Sequence, residues 1–585
     1  MSAPATRSRP GSGRRADWLQ VVVATAVLVV VNALASYVPG RVDLTEEKRF
    51  TLTPATERTL RELDEPVYVE VLLDGEFPAG FARLRTATEE MLRDLSGVNG
   101  ELDYGFTDPG AGTLEEVNTV RKQLVERGLK PVNFAVQSAE GRSERLLWPY
   151  AIVNYAGRRQ VVNLLENNVP GQRPDVAVNN SVSLLEYKFA NAIQKLLRNE
   201  RPLIAFTSGH GELSPLQTRD LTNALAPYYD IERINLDTFF SVGPEEIGAI
   251  VVADPRTPFS DRAKFVLDQY VMRGGRLLVM LDKLSVNLDS LQGRPEFIPN
   301  DQTQNLDDLL FEYGVRVEPN LVLDLQSTRV PVVTGQVGNA PQFELRPWPY
   351  HVLATPAPRH PVTRSLQPVQ LYFPSELDTT VRTRLPIRKT ALLTTTANAL
   401  VRYSPARVSL EDVRYGLERD RFDKGPLPLA VLLEGRFTSL YENRVGTAFA
   451  RGLAEIGQDF RAEGEPARVI VVGDGDLAKN AIDPAQGAFR PLGYNDFEKY
   501  VFDNRDFLVN AIEYLFDEGG VIAARNREVK LRLLDGPRAQ AEATRWRLLN
   551  IGAPLVLLTL AGVGYRAWRR RRYAYAPPTA TPAQP

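Results

Sequence analysis

The chain has 585 residues, 43% hydrophobic and 24% charged, with a formal net charge of −2 and no cysteine. That length leaves room for several domains with large buried cores, while the missing cysteines exclude disulfides, thiol nucleophiles, thiolate metal sites and lipid anchoring through an N-terminal cysteine. Charge is unevenly spread: Arg7, Arg9, Arg14 and Arg15 in the first sixteen residues, and Arg566 and Arg569 to Arg572 in the last twenty, stand without acids, so the body between them is acidic, which argues against a nucleic-acid partner.

Both basic ends (1–17 and 567–585) abut apolar runs. The run Trp18–Val38, "WLQVVVATAVLVVVNALASYV", spans about one hydrocarbon core as a helix. A second run, Leu548–Tyr565, includes Gly552, Pro554, Gly562 and Gly564, which membrane helices tolerate. The sequence therefore predicts transmembrane helices over 18–38 and 548–566. Arginines outside both runs put the two tails in the cytoplasm and residues 39–547 on the other side of the inner membrane. Ala33-Leu34-Ala35 leaves a cleaved signal peptide as the alternative for the first run.

Thr53-Pro54 predicts a capped helix start just after the first run. Strand patterns follow at 66–73, 101–109, 131–137, 145–155 and 158–165, with helices over 80–96, 113–128 and 181–198. That order reads as a thioredoxin-like α/β layer over 42–200, without the CxxC of thiol chemistry.

From Arg201 the runs 202–208, 229–236, 247–255 and 276–282 read as buried strands, and 214–228 and 260–275 as helices, the latter capped by Ser260. Near-continuous Val, Ile and Leu runs alternating with helices predict a parallel, doubly wound sheet. Residues 390–399 and 428–435 read as strands and 468–480 as a strand followed by a helix, all adding to the same sheet, and 504–517 is an amphipathic helix. The span 201–520 thus reads as one large α/β domain with an insertion at about 284–428, followed by a membrane-proximal segment, 521–547. His351 and His360 lie in proline-flanked stretches that read as extended loops, packed by proline or forming an aromatic surface with Trp348 and Tyr350.

"FTSGHGEL" (206–213) places His210, one of three histidines, and Glu212 just past a strand end. Ligands of open α/β sheets bind outside the carboxyl ends of the strands. Asp254, Asp282, Asp474 and Asp476 follow equivalent strands, so the six residues form a candidate ligand- or partner-binding edge. Turn formation and helix capping are the stronger explanation of the same residues. There is no HExxH, esterase elbow, phosphate loop or dinucleotide fingerprint, so no catalytic residue, metal or cofactor is expected. A membrane-tethered hydrolase or metal enzyme using His210, Glu212 and the aspartates remains an alternative, as does a glycan or peptide receptor.

Several segments in fixed order, "DLTEEKRFTLTPAT", "SLLEYKFANAIQKL", "FTSGHGEL", "FVLDQYVMRGGRLLVMLD", "LLEGRFTSLYENR", "VVGDGDLAKN", "PLGYNDF" and "WRLLNIGAPL", resemble the GldG family of gliding-motility-associated ABC transporter auxiliary proteins. The resemblance implies a membrane accessory protein, non-catalytic, working with ATPase and permease subunits in motility or export. It also implies a large domain of glutaminase-like kind, shared with an intraflagellar-transport subunit and lacking the nucleophile.

Overall fold

Local signals set the first elements. In the computed structural model, residues 13–37, 51–526 and 541–573 are described, apart from 76, 78, 139–140, 166–173, 199, 292–293, 295, 339, 365, 416–417, 443, 445–450, 454, 456, 484–486 and 518. The chain divides into two compact units, Met1–Glu528 and Val529–Pro585. In the first, helix α1 (Gly13–Tyr37) carries the first apolar run. Helix α2 (Pro54–Arg61) starts where Thr53 accepts from the Thr56 N–H, with Pro54 fixing the first turn.

Strand β1 (Val67–Val71), helix α3 (Ala79–Val98), strand β2 (Leu102–Phe106) and helix α4 (Leu114–Glu126) follow in turn. A capping box between Thr113 and Glu116 opens α4. Beyond it lie strands β3 (Val132–Ser138), β4 (Gly141–Leu147), β5 (Tyr150–Tyr155) and β6 (Arg158–Asn163). The sheet order is β2-β1-β5-β6, with β1 parallel to β2 and the β1–β5 and β5–β6 pairs antiparallel. The expected strand 145–155 is two strands divided at Trp148-Pro149, and β3 with β4 forms a separate ribbon. The expected helix 181–198 is likewise two: α5 (Pro174–Ser183) and α6 (Leu185–Leu197), broken at Leu184.

Strands β7 (Leu203–Thr207), β8 (Asp230–Ile234), β9 (Ala249–Ala253) and β10 (Arg276–Met280) alternate with helices α7 (Arg219–Leu225) and α8 (Asp261–Met272). The remaining strands of the large sheet are β11 (Ser327–Val337), β12 (Ala340–Pro356), β13 (Val369–Tyr372), β14 (Ile387–Thr394), β15 (Pro428–Thr438) and β16 (Glu463–Val472). The order is β11-β12-β14-β15-β16-β10-β9-β7-β8, with β13 on β12. Only the half from β16 to β8 is parallel; β11 to β15 run antiparallel to their neighbours. The sheet is therefore mixed rather than parallel throughout, and the stretch expected as an insertion supplies much of its second half.

Every residue of β9 is buried, as a strand covered on both faces requires. Val266, Leu267 and Tyr270 of α8 belong to the core on one face. Phe507, Leu508 and Ile512 of helix α9 (Asn504–Leu515) belong to the core on the other. His351 lies within strand β12, and Trp348 and Tyr350 are fully buried beside it, so they form a core cluster and not an exposed loop.

The second unit is described by helix α10 (Ala543–Tyr573), with Pro554 inside it. Among the described residues it is the one helix long and apolar enough to cross a membrane by length and composition; the apolar stretch of α1, Val21–Val31, is shorter. Arg570 to Arg572 lie on the last turn of α10, where the helix dipole favours cations.

Candidate functional site

Parallel strands end on the same edge, so the loops after β7, β9, β10 and β16 meet. Backbone bonds lock them: Leu213 N–H donates to Ala253 O at 3.0 Å, Asp254 N–H to Met280 O at 3.0 Å, and Leu281 N–H to Val472 O at 3.1 Å. The six residues expected at this edge resolve into two groups and one structural residue.

The first group is built on the glycine-flanked turn. Gly209 has φ +107 and a Cβ there would lie 3.0 Å from Asn235, so the turn that presents His210 needs glycine. The carbonyl of His210 accepts from Arg256 N–H and Thr257 N–H at 2.8 and 2.9 Å. Its imidazole is buried and stacks on Phe259 at 4.0 Å. Nδ1 stands 3.4 Å from Glu212 Oε1 and Nε2 3.4 Å from Asp237 Oδ2, while Glu212 Oε2 accepts from the His210 N–H at 2.7 Å. The neighbouring hydroxyl is engaged elsewhere: Ser260 Oγ donates to Asp237 Oδ1 and accepts from Ala263 N–H at the start of α8. A nucleophile–base pair needs the hydroxyl on the imidazole, and here it sits on the carboxylate beyond.

The second group comprises Asp254, Asp282 and Asp476, each offering a carboxylate oxygen within 4.8 Å of the others. Asp254 adopts φ 51, uncommon for a non-glycine residue. Its Oδ2 accepts from Arg256 Nε and Nη2 at 3.1 and 2.9 Å. Asp282 Oδ1 accepts from Gly475 N–H at 2.6 Å, and Asp476 Oδ1 from Lys479 Nζ at 2.8 Å. Burial, followed by the nearby Asp476 charge, raises the Asp254 carboxyl above its ordinary range and the Asp282 carboxyl well above it.

Asp474 has a different task. It is fully buried, and its two oxygens accept from Asp476 N–H at 2.9 Å and Tyr372 N–H at 2.7 Å. It caps the 3-10 turn Gly475–Ala478, which stands where a helix after 468–472 was expected. Burial, then Asp476, pushes its carboxyl up as well. Arg256 and Lys479 were not anticipated, although Asp-x-Arg at 254–256 and an i,i+3 Asp/Lys pair at 476–479 were visible in the sequence.

A cavity of about 620 Å³ lies away from this edge, between α6, β6 and α9. The buried pair Lys195–Glu513 lines it, Tyr187 donates to Glu513 Oε2 at 2.6 Å, and Lys195 lies over the Tyr228 ring at 4.0 Å.

Residues 46–154 match a domain of unknown function. A 17% identical uncharacterized protein of Borreliella burgdorferi aligns over 328 residues, 53% of this chain; the chain spans about 57% of that protein's length. Among solved structures, the mmIFT52 N-terminal domain aligns at TM-score 0.28 and 15% identity, covering 54% of this chain and 97% of that domain. The exo-beta-1,4-mannosidase Op5Man5 from Opitutaceae bacterium strain TAV5 aligns at TM-score 0.19 and 11% identity, covering 52% and 35%. Likeness at this level carries no argument about fold. The decisive match is to the family described as an ABC-type uncharacterized transport system, over residues 201–511. Those residues form more than half of the chain and hold both groups at the sheet edge, so the chain belongs to this family of ABC-type transport system auxiliary proteins.

Proposed function

We propose that the protein is a membrane-anchored, non-catalytic, extracytoplasmic accessory component of an ABC transporter complex, working with separate ATPase and permease subunits in the manner of the GldG family. The observation that carries this reading is the family match across the large domain. The apolar helix α10 ending in arginines supports anchoring with the C-terminus in the cytoplasm. The sheet order β2-β1-β5-β6 supports a thioredoxin-like scaffold for the first layer. Ser260 bonded away from His210 supports a non-catalytic edge.

Crosslinking in native membranes followed by affinity purification should recover an ATPase and a permease; recovery of neither would sink the transporter reading. Topology has its own test, because the chain has no cysteine. In spheroplasts a membrane-impermeant maleimide should label Asn118→Cys directly and Ala576→Cys only after permeabilisation. The reverse pattern would reject an extracytoplasmic body.

A receptor for a glycan or peptide is the second reading, favoured by the cavity beside Lys195 and Glu513. A thermal-shift screen that finds no stabilising ligand would remove its support.

A further inference from the structure

The aspartate group has no part in the transporter reading. Carboxylates cluster on many protein surfaces, but here one oxygen is left over inside the group. The Asp254 side chain is 1% exposed. Arg256 occupies its Oδ2, and its Oδ1 has no hydrogen-bond partner. That oxygen faces Gly475, where a Cβ would lie 2.8 Å from it. The Gly475 N–H in turn holds Asp282 Oδ1, and Asp476 is the next residue along. The unpartnered oxygen is thus directed at the loop to which one other carboxylate is bound and on which the third sits.

Charge points the same way. Asp254, Asp282, Asp474 and Asp476 interact with one another and with two cations, Arg256 and Lys479. Were all four acids ionised, against the protonation that burial favours, they would outnumber the two bases by two. A buried carboxylate without a compensating partner is costly, and a single dication balances this excess.

We propose that Asp254, Asp282 and Asp476 form a binding site for a hard divalent cation. Carboxylate oxygens suit such an ion, and oxygens that all lie within 4.8 Å of one another are close enough to share one, at roughly 2.0–2.6 Å each. Arg256 and Lys479 hold Asp254 and Asp476 in orientation through these bonds. Three protein oxygens leave coordination positions for water or for an oxygen of a bound molecule.

The test uses full-length protein in detergent, stripped with EDTA and titrated with Mn²⁺ by electron paramagnetic resonance, with Ca²⁺ as competitor. One Mn²⁺ should bind per chain, Ca²⁺ should displace it, and either ion should raise the unfolding temperature. Asp254→Asn and Asp476→Asn should each weaken binding tenfold or more. Asp282→Asn should raise the unfolding temperature of the stripped protein while removing the ion-dependent rise, a pair of results that a misfolded variant cannot give. Absence of bound Mn²⁺ at millimolar concentration would overturn the site, as would binding unchanged in the folded asparagine variants.

Discussion

In the parallel half of the large sheet, β7, β9, β10 and β16 finish at one edge, and a histidine, a glutamate and four aspartates follow them. In the antiparallel half, neighbouring strands finish at opposite edges, and the polar residue of note, His351, lies in the middle of a strand among aromatic rings. Its ring meets Tyr372 at 4.7 Å, Trp348 at 4.8 Å and Phe373 at 5.4 Å. Strand direction, more than composition, decides where polar groups collect. One half gathers charge at a rim; the other buries a neutral imidazole singly.

If the antiparallel half is held by this cluster, Trp348→Ala should have the largest effect. Its side chain is fully buried, and truncation should cost about 3–5 kcal/mol in chemical denaturation. A cost below about 1 kcal/mol would show the cluster to be loosely packed.

Acid should separate the halves next. Burial lowers His351 to about 3, and neither ring nitrogen has a hydrogen-bond partner. A depressed folded-state value gives stability that is complete above the unfolded value near 6.5 and is lost as pH falls toward about 3. At pH 5 the loss from this residue should be about 2 kcal/mol. Asp268, on α8 over the parallel half, has the opposite sign. Burial raises it to about 6, so its contribution is complete below the ordinary 3.8 and is lost as pH rises through 6. His351→Phe should flatten the acid limb of the stability–pH curve; an unchanged limb would assign it to other groups.

Ser260→Ala should have the smallest effect, about 1 kcal/mol, because it removes the cap of α8. A much larger loss would tie the His210 group to the stability of the parallel half through the Ser260–Asp237 bond.

The caps at Thr53 and Ser260 were legible because a cap is a local pattern spanning a few residues. So were the strand-end positions, since parallel strands align their carboxyl ends. The long strand β12 was not, because Pro347 and Pro349 disguise it as a loop. Its pairing with β11, β13 and β14 depends on residues far along the chain. At the site, the sequence could place Asp254, Asp282 and Asp476 on one edge. It could not show that Asp474 is consumed as a cap, or that Asp237 and Phe259 enclose His210.

Helix α6 belongs to two cores at once. Leu185, Phe189, Ile193 and Leu196 pack with the first layer, whereas Tyr187 and Ala190 pack with the large sheet. Lys195 joins the same helix to Glu513 on α9. A load applied to the first layer therefore passes through a shared beam and not through a tether, and neither partner can melt without stripping one side of it. Calorimetry of the intact body should record one cooperative heat-absorption peak for the two layers.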